Sequence, residues 1–334
     1  MTSISPATPW HARSRSNGNH RQSTNLTQSG RNNSKPFPSF TIKSLNPTTT
    51  ATGGRRISQC RHLRGVWRNA VVPDVLRGSG RAGQDAHGKL IIDALEGGGV
   101  RTDHVNEISQ VPTGHAVVML QSDGQNSIII VGGANMCGWP DDLDNTDLEI
   151  VKNAGIVLLQ REIPDSINIQ VAKAARSAGV PVILDAGGMD APVPVELLKH
   201  VDILSPNESE LARLTGMQTE SFEQISLAVA KCHKLGVKEV LVKLGGRGSV
   251  LFIEGFIEGK EPIKQGIIEA EKVLDTTGIG DTFTAAYAVA FVEGKSKAEC
   301  LRFAAAAASL CVRVKGAIPS MPHRKAVLDL LQSV

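Results

Sequence analysis

The stretch Asp275-Thr276-Thr277-Gly278-Ile279-Gly280-Asp281 sets two glycines between two aspartates, just ahead of a run rich in small residues, Thr282 to Ala288. That run predicts a helix, so the glycine turn lies at a helix N-terminus. Glycines let the backbone turn tightly and let a ligand approach it. Unpaired N–H groups and the helix dipole suit an anion such as a phosphate there. Asp281 could take a proton from a hydroxyl as a general base, or it could simply cap the helix.

Length and composition narrow the function classes. A chain of 334 residues fits one large α/β domain or two smaller ones. Aromatic residues make up only 4% of it, which argues against a stacking surface for nucleic-acid bases. No apolar run is long enough to span a bilayer. We therefore expect a small-molecule substrate and neither a nucleic-acid nor a membrane partner.

The basic residues are concentrated towards the N-terminus. Residues 1–82 hold 13 Lys and Arg against one acid, Asp74, so the remainder holds 36 − 13 = 23 basic and 33 − 1 = 32 acidic residues. Residues 1–50 lack acids and are rich in Ser, Asn, Thr, Pro and Arg, a composition that does not fold alone. It fits an organellar transit peptide, either chloroplast or mitochondrial, and we expect a plastid location. The alternative is a disordered tail on a cytoplasmic protein. Residues 51–82, including Arg77 to Arg81, look like loop, so we expect the folded domain at 83–334.

Five cysteines occur, at positions 60, 137, 232, 300 and 311, without C-x-x-C spacing. This spacing favours reduced thiols in an intracellular protein over a disulfide framework or a zinc site.

Strand and helix patterns alternate from Gly155 onward, which predicts an α/β fold with a mainly parallel sheet covered on both faces. A β-hairpin precedes it, with arms at 116–120 and 127–131. The predicted strands are 156–160, 181–185, 202–205, 239–243 and 249–253. The predicted helices are 86–95, 167–178, 195–200, 208–215, 222–235 and 302–314.

Polar residues follow the predicted strands at the edge where such sheets bind ligands. Glu162 follows the first strand and is either a ligand contact or a solvated loop carboxylate. Asp185 ends the second and could equally cap a helix. After the third, Asn207 and Glu210 form N-x-x-E, whose oxygens suit magnesium but also fit a helix cap.

Leu244-Gly245-Gly246-Arg247-Gly248 follows the fourth strand. A glycine turn with an Arg can hold phosphate oxygens, although glycine turns also join strands without any ligand. It is not a P-loop, since G-x-x-x-x-G-K-[ST] occurs nowhere in the chain.

The order of these motifs resembles the ribokinase branch of the carbohydrate and nucleoside kinases. The series is a strand-end Glu, N-x-x-E, K-L-G-G-R-G, D-T-T-G-I-G-D and K-G-A-I-P-S. Pro112-Thr113-Gly114 and Gly132-Gly133-Ala134-Asn135 resemble that branch too, and the likeness runs from about Gly83 to the C-terminus. It implies a three-layer α/β sandwich with a small β-hairpin lid, and a homodimer formed through that lid.

The resemblance also implies roles for individual residues. Asp281 would deprotonate the 5-hydroxyl of D-ribose, which Glu162 would contact. The N–H groups of Gly278, Ile279 and Gly280 would form the anion hole for the transferring phosphoryl group. ATP would be bound by Asn207, Lys243, Leu244, Gly245, Gly246, Arg247, Gly248, Gly280 and Asp281, and magnesium by Glu210. A monovalent cation, potassium, would be held by Asp275, Thr277, Cys311, Val314, Gly316 and Ser320.

The chain departs from the family pattern in its N-terminal part. The family's first strand, with a sugar-binding Asp, and its G-G-K-G-A-N signature have no match in residues 51–82. We therefore expect a complete ATP side, an incomplete sugar side and an unpaired sheet edge. The leading function is ATP-dependent ribose phosphorylation. The alternatives are a fructokinase-like or nucleoside kinase, and a catalytically impaired homologue that binds nucleotide.

Overall fold

The computed structural model of the chain describes residues 77–97, 100–120, 126–188, 191–255, 259 and 261–334. The strands are β1 Arg77–Gly83, β2 Arg101–Ile108, β3 His115–Leu120, β4 Asn126–Val131, β5 Val157–Arg161, β6 Val182–Gly188, β7 Ile203–Ser205, β8 Glu239–Lys243, β9 Ser249–Ile253 and β10 Ile263–Gln265. The helices are α1 Ala86–Gly97, α2 Asn145–Lys152, α3 Asp165–Ser177, α4 Val195–Leu198, α5 Glu208–Thr215, α6 Phe222–Lys234, α7 Ile279–Val292, α8 Lys297–Cys311 and α9 Arg324–Ser333.

Six strands form the main sheet, in the order β10-β9-β8-β7-β6-β5. The four strands from β5 to β8 run parallel, and β9 and β10 are antiparallel to their neighbours. The α/β class and the mainly parallel sheet are confirmed. The carboxyl ends of β5 to β8 therefore meet at one edge, where the predicted site residues follow them.

Alternating side chains along the strands of the main sheet pack in two separate hydrophobic cores. On β6, Val182 and Leu184 pack against α3 to α6, whereas Ile183 packs against α7, α8 and α9. The same division holds on β8, where Val240 and Val242 face one core and Leu241 the other. Period-two alternation with both faces apolar is what a sheet between two helical layers requires. The predicted three-layer sandwich is confirmed.

Helix α8 begins five residues before the predicted start at residue 302. The Ser296 side chain accepts a hydrogen bond from the Glu299 backbone N–H, and the Glu299 carboxylate accepts one from the Ser296 backbone N–H. This capping box fixes the start of the helix. The alanines at 304–307 are buried, which lets α8 pack closely along α7.

Two small sheets precede the main sheet. Strands β3 and β4 pair antiparallel, which confirms the predicted hairpin. Strands β1 and β2 pair parallel, and α1 covers them through Ile91 and Leu95. The prediction of a loop over residues 77–81 is wrong: the backbone of this Gly- and Arg-rich segment pairs with β2, a tertiary contact that side-chain patterning does not report.

Strand β5 lies at the edge of the main sheet, and within the residues that the structure describes its other side is unpaired. The open edge expected for the whole chain stays a prediction. The transit-peptide prediction falls on residues outside the described ranges. Across those ranges, no helix combines the length and the apolar character that crossing a bilayer demands.

Candidate active site

The carboxyl ends of β6 and β8 bring Asp185 and Lys243 together. Lys243 Nζ lies 2.9 Å from Asp185 Oδ2, and both side chains are largely buried. A side chain added to Gly280 would begin 3.6 Å from Lys243 Nζ, so the ammonium group lies beside the glycine turn. The structure thus places the predicted ATP-binding Lys243 next to the predicted anion hole.

Helix α7 begins directly after Gly278, which has a φ of 81° and acts as N-cap residue. Glycine adopts this left-handed conformation without steric cost. The first N–H groups of a helix have no partner within the helix, although that of Ile279 makes a long 3.3 Å bond to the Thr276 carbonyl. Asp281 follows in the first turn, is only 9% exposed, and accepts a 3.3 Å hydrogen bond from Gln160 Nε2.

A buried polar network links the glycine turn to β6 and β7. Thr284 Oγ1 lies 3.0 Å from Asp185 Oδ2, 3.0 Å from the Gly280 carbonyl and 3.1 Å from Ser205 Oγ. Sequence patterning suggested no role for Thr284 and left Asp185 open between a site residue and a cap. The available sequence signal was that Asp185 ends an apolar predicted strand and is therefore expected to be buried. A buried carboxylate needs a charged or hydrogen-bonding partner, which points to a site residue.

Asn207 and Glu210 form a capping box at the start of α5, which confirms the capping interpretation of this motif. Glu210 Oε2 accepts from the Asn207 backbone at 2.7 Å, while Oε1 lies 3.1 Å from the point where a side chain on Gly187 would begin. Burial raises the pKa of Glu210, and the nearby Asp185 adds to this while Lys243 opposes it. Glu210 and Asp185 are thus two neighbouring carboxylates that share the positive charge of Lys243.

The predicted phosphate turn is a short 3-10 helix, Gly245–Arg247, ahead of β9. Gly248 has a φ of 89°, and a side chain there would begin 2.1 Å from the Gln265 carbonyl, so only glycine fits. Leu244 is buried beneath the turn and Gly246 is exposed. The guanidinium of Arg247 pairs with Glu208 at the start of α5.

Asp275 joins the glycine turn to the loop after α8. Its two carboxylate oxygens accept from the backbone of Thr277 and of Gly316, each at 2.9 Å. Cys311 and Ser320 are buried, and Cys311 Sγ lies 3.2 Å from Ser320 Oγ. Val314 is exposed.

Among the described residues, no group of three or more His, Cys, Asp or Glu side chains could hold a metal ion. The carboxylate of Asp275 and the carbonyl groups of this loop are hard oxygen donors, which fit an alkali cation better than a transition metal.

Glu162 follows β5, with its side chain close to Gly188 at the end of β6. The preceding Arg161 is 1% exposed and pairs with Asp165, and it donates to the Ala191 carbonyl at 2.6 Å. Arg161 was not predicted as a functional residue. It ties the end of β5 to the loop after β6 and so fixes the backbone that carries Glu162.

The two motifs before the main sheet are also brought together. The Pro112 carbonyl accepts from Ala134 N at 2.9 Å, and Asn135 is 2% exposed. The carboxylate of Asp85 accepts hydrogen bonds from the backbone N–H and the hydroxyl of Thr113, at 2.8 and 2.7 Å. Burial disfavours the charge on Asp85, but the hydrogen bonds from Thr113 and Gly88 outweigh it and lower the pKa.

Residues 77–324 match the sequence profile of the pfkB family carbohydrate kinases. The ribokinase of Arabidopsis thaliana is 73% identical over 255 residues, which cover 76% of this chain and 66% of that protein. The ribokinase of Bacillus subtilis is 37% identical over 252 residues, with 75% and 80% covered. The chain thus spans slightly under two thirds of the Arabidopsis protein.

Solved structures agree with this likeness. A structure of Arabidopsis thaliana ribokinase complexed with ribose and ATP superposes with a TM-score of 0.77 at 67% identity, covering 83% of this chain and 86% of that one. A ribokinase structure from Thermotoga maritima gives a TM-score of 0.69 at 30% identity, with 84% and 86% covered. The chain therefore belongs to the pfkB family of carbohydrate kinases.

Proposed function

We propose that this chain transfers the terminal phosphoryl group of ATP to the 5-hydroxyl of D-ribose. The observation that carries the proposal is the position of Asp281, buried in the first turn of α7 directly after the glycine turn. The likeness to the Arabidopsis protein, whose solved structure holds ribose and ATP, supports these two substrates for this chain.

Asp281 is the group that accepts the proton of the attacking hydroxyl. A positioned base of this kind contributes about 10²–10⁴-fold to a rate. The N–H groups of Gly278, Ile279 and Gly280 stabilise the charge on the transferring phosphoryl oxygens, and the dipole of α7 adds to this. Because phosphoryl transfer depends mainly on positioning and charge stabilisation, a rigid helix start supplies most of what it needs.

The nucleotide is bound by the end of β8, the turn that follows it and the start of α5. Lys243 contributes a positive charge beside the glycine turn, and the backbone from Leu244 to Gly248, together with Asn207, holds the nucleotide. Glu162, at the end of β5, orients the sugar.

Two cations complete this proposal. Glu210 holds magnesium, directly or through its water ligands, and the ion neutralises phosphate charge when bound. Asp275 and Thr277, with main-chain oxygens of Cys311, Val314, Gly316 and Ser320, would hold potassium, and the ion would stabilise the loop that carries the glycine turn.

The test is ADP production by the full chain with magnesium and potassium, in the presence of ribose, fructose or adenosine. We expect turnover with ribose at least tenfold above that with the other acceptors, loss of turnover with a magnesium chelator, and a drop when sodium replaces potassium. Turnover with fructose or adenosine alone would assign a different acceptor. Nucleotide binding without turnover on any acceptor would contradict the proposal.

We further propose that residues 1–50 direct the protein to the plastid and that two copies pair through the β3–β4 hairpin. The acid-free, Ser- and Arg-rich composition supports the first. A fluorescent fusion of residues 1–82 that stays in the cytosol would contradict it. The family resemblance supports the second, and a monomer mass in solution would contradict it.

A further inference from the structure

Gln160 lies on the face of β5 that looks towards α7. Along β5, Leu159 packs in the core shared with α3 to α6, while Leu158 packs against the core of α7 and α8. Since side chains alternate along a strand, Gln160 shares the face of Leu158. This register, two residues before Glu162, aims its amide at the first turn of α7.

The contact that results is a hydrogen bond to the proposed base. Gln160 Nε2 lies 3.3 Å from Asp281 Oδ1. An ionised carboxylate only accepts hydrogen bonds, so the amide nitrogen and not the amide oxygen must face it. Hydrogen bonds to an ionised group are stronger than bonds between neutral partners.

The backbone of Gln160 is itself held in place. Asn168 on α3 is fully buried and donates to the Gln160 carbonyl at 2.8 Å. The neighbouring residue on β6 is Asp185, which pairs with Gln160 in the sheet register. Asp185 in turn accepts from Thr284, three residues after Asp281 and hence on the same face of α7. Two adjacent strand ends thus hold two successive contacts on one helix face.

We propose that Gln160 is a positioning residue that fixes the carboxylate of Asp281 for proton transfer. This inference rests on the proposed function, because it assigns Asp281 the role of base. The hydrogen bond from the amide to Oδ1 restricts the rotation of the carboxylate, as a base that takes the proton of the sugar hydroxyl requires. Loss of such positioning slows the chemical step more than it weakens substrate binding.

The first test replaces Gln160 by Met, which keeps the side-chain length and removes the donor. We expect kcat to fall about tenfold with the KM for ATP within twofold of wild type. Gln160→Glu places a like charge beside the base and is expected to lower kcat further. The matched control is Gln170→Met on α3, which removes hydrogen bonds to Leu143 and Asp141 away from the site. A kcat for Gln160→Met within twofold of wild type, or an equal loss in the control, overturns the proposal.

A second test does not depend on turnover. Unfolding by urea is measured for wild type, Gln160→Met, Asp281→Ala and the double variant, with Asp281→Ser as a second background. A charge-assisted hydrogen bond corresponds to about a tenfold factor in the unfolding constant. We therefore expect Gln160→Met to raise the unfolding constant about tenfold when Asp281 is present. In the Asp281→Ala and Asp281→Ser backgrounds the same substitution should raise it less than threefold.

The two tests separate the two proposals. Equal effects of Gln160→Met in all backgrounds overturn the contact, whatever the activity of the chain. Suppose instead that no sugar is phosphorylated but Gln160→Met raises the unfolding constant only when Asp281 is present. The proposed function then fails, while the contact between Gln160 and Asp281 stands.

Discussion

The main sheet and the two small sheets before it treat their polar residues differently. Asp185 and Lys243 of the main sheet form a largely buried ion pair, and Thr284 of α7 donates a hydrogen bond to Asp185. In the β1–β2 sheet the residues of β2 are exposed or half-buried, and Asp85 bonds to the backbone around it. A buried charge pair requires a rigid frame, because its solvation has to be replaced by fixed partners. The main sheet supplies such a frame around Asp185 and Lys243.

The largest expected effect comes from removing the base. Asp281→Asn should lower kcat for ribose by about 10²–10⁴-fold, since the amide cannot accept the proton, while ATP affinity stays within a fewfold. ADP production and ATP titration measure the two quantities. Asp329→Asn, at an exposed position of α9, is the control and should leave both unchanged. A loss of ATP binding equal to the loss of kcat would show that the nucleotide side is not independent of the base.

Next in size is the effect of breaking the buried pair. Lys243→Met leaves Asp185 charged and without its ammonium partner, which should lower the free energy of unfolding by about 3–5 kcal/mol. Adding Asp185→Leu should restore part of this. Lys325→Met, which breaks an exposed pair on α9, should cost about 0–1 kcal/mol in the same urea experiment. Equal costs for the two lysines would remove the contrast between buried and exposed charges.

The two regions should also respond to acid in opposite directions. The pKa of Asp85 is lowered on folding, so its contribution to stability is complete above the usual value of 3.8 and is lost as pH falls through the folded-state pKa. The pKa of Glu210 is raised by burial, so as the pH falls this carboxylate takes up a proton in the folded state before it does so in the unfolded state. The free energy of unfolding therefore rises as the pH falls through the folded-state pKa towards 4.5.

Urea unfolding between pH 7 and pH 3 can separate these effects. The Asp85→Asn variant should lose less stability than wild type as the pH falls below about 4, and Glu210→Gln should lack the gain that wild type shows at higher pH. Parallel pH profiles for wild type and both variants would contradict the assigned directions.

The smallest effect concerns a hydroxyl inside the α7 core. Tyr287 Oη is buried and has no hydrogen-bond partner among the described residues, and burial strongly raises the pKa of this phenol. Tyr287→Phe should therefore leave the free energy of unfolding unchanged or raise it by about 1 kcal/mol. Thr284→Val removes a hydroxyl that Asp185 does use, and it should cost about 1–3 kcal/mol. A clear loss in the phenylalanine variant would mean that the hydroxyl has a partner after all.

Periodicity predicted the main sheet and most of its helices, because their apolar faces repeat at the spacing that packing requires. It missed β1, whose glycines and arginines carry no apolar pattern and which is defined by pairing with β2. The roles of Asp281, Glu162 and Glu210 were predicted from motif order and are still untested. Contacts that depend on sheet register, such as those of Gln160 and Thr284, cannot be predicted from spacing, since they join residues 121 and 99 positions apart.

Helix α7 has ten consecutive buried residues, from Asp281 to Ala290, whereas Gly278 to Gly280 are half-buried. We therefore expect the amide hydrogens of the buried turns to exchange with solvent mainly when the domain unfolds, and those of the first turn to exchange through local opening. The carboxylate of Asp281 lies at the boundary between these two regimes. Hydrogen exchange along α7 should therefore divide the helix in two, with slow exchange from Asp281 to Ala290 and faster exchange at the glycine turn that precedes them.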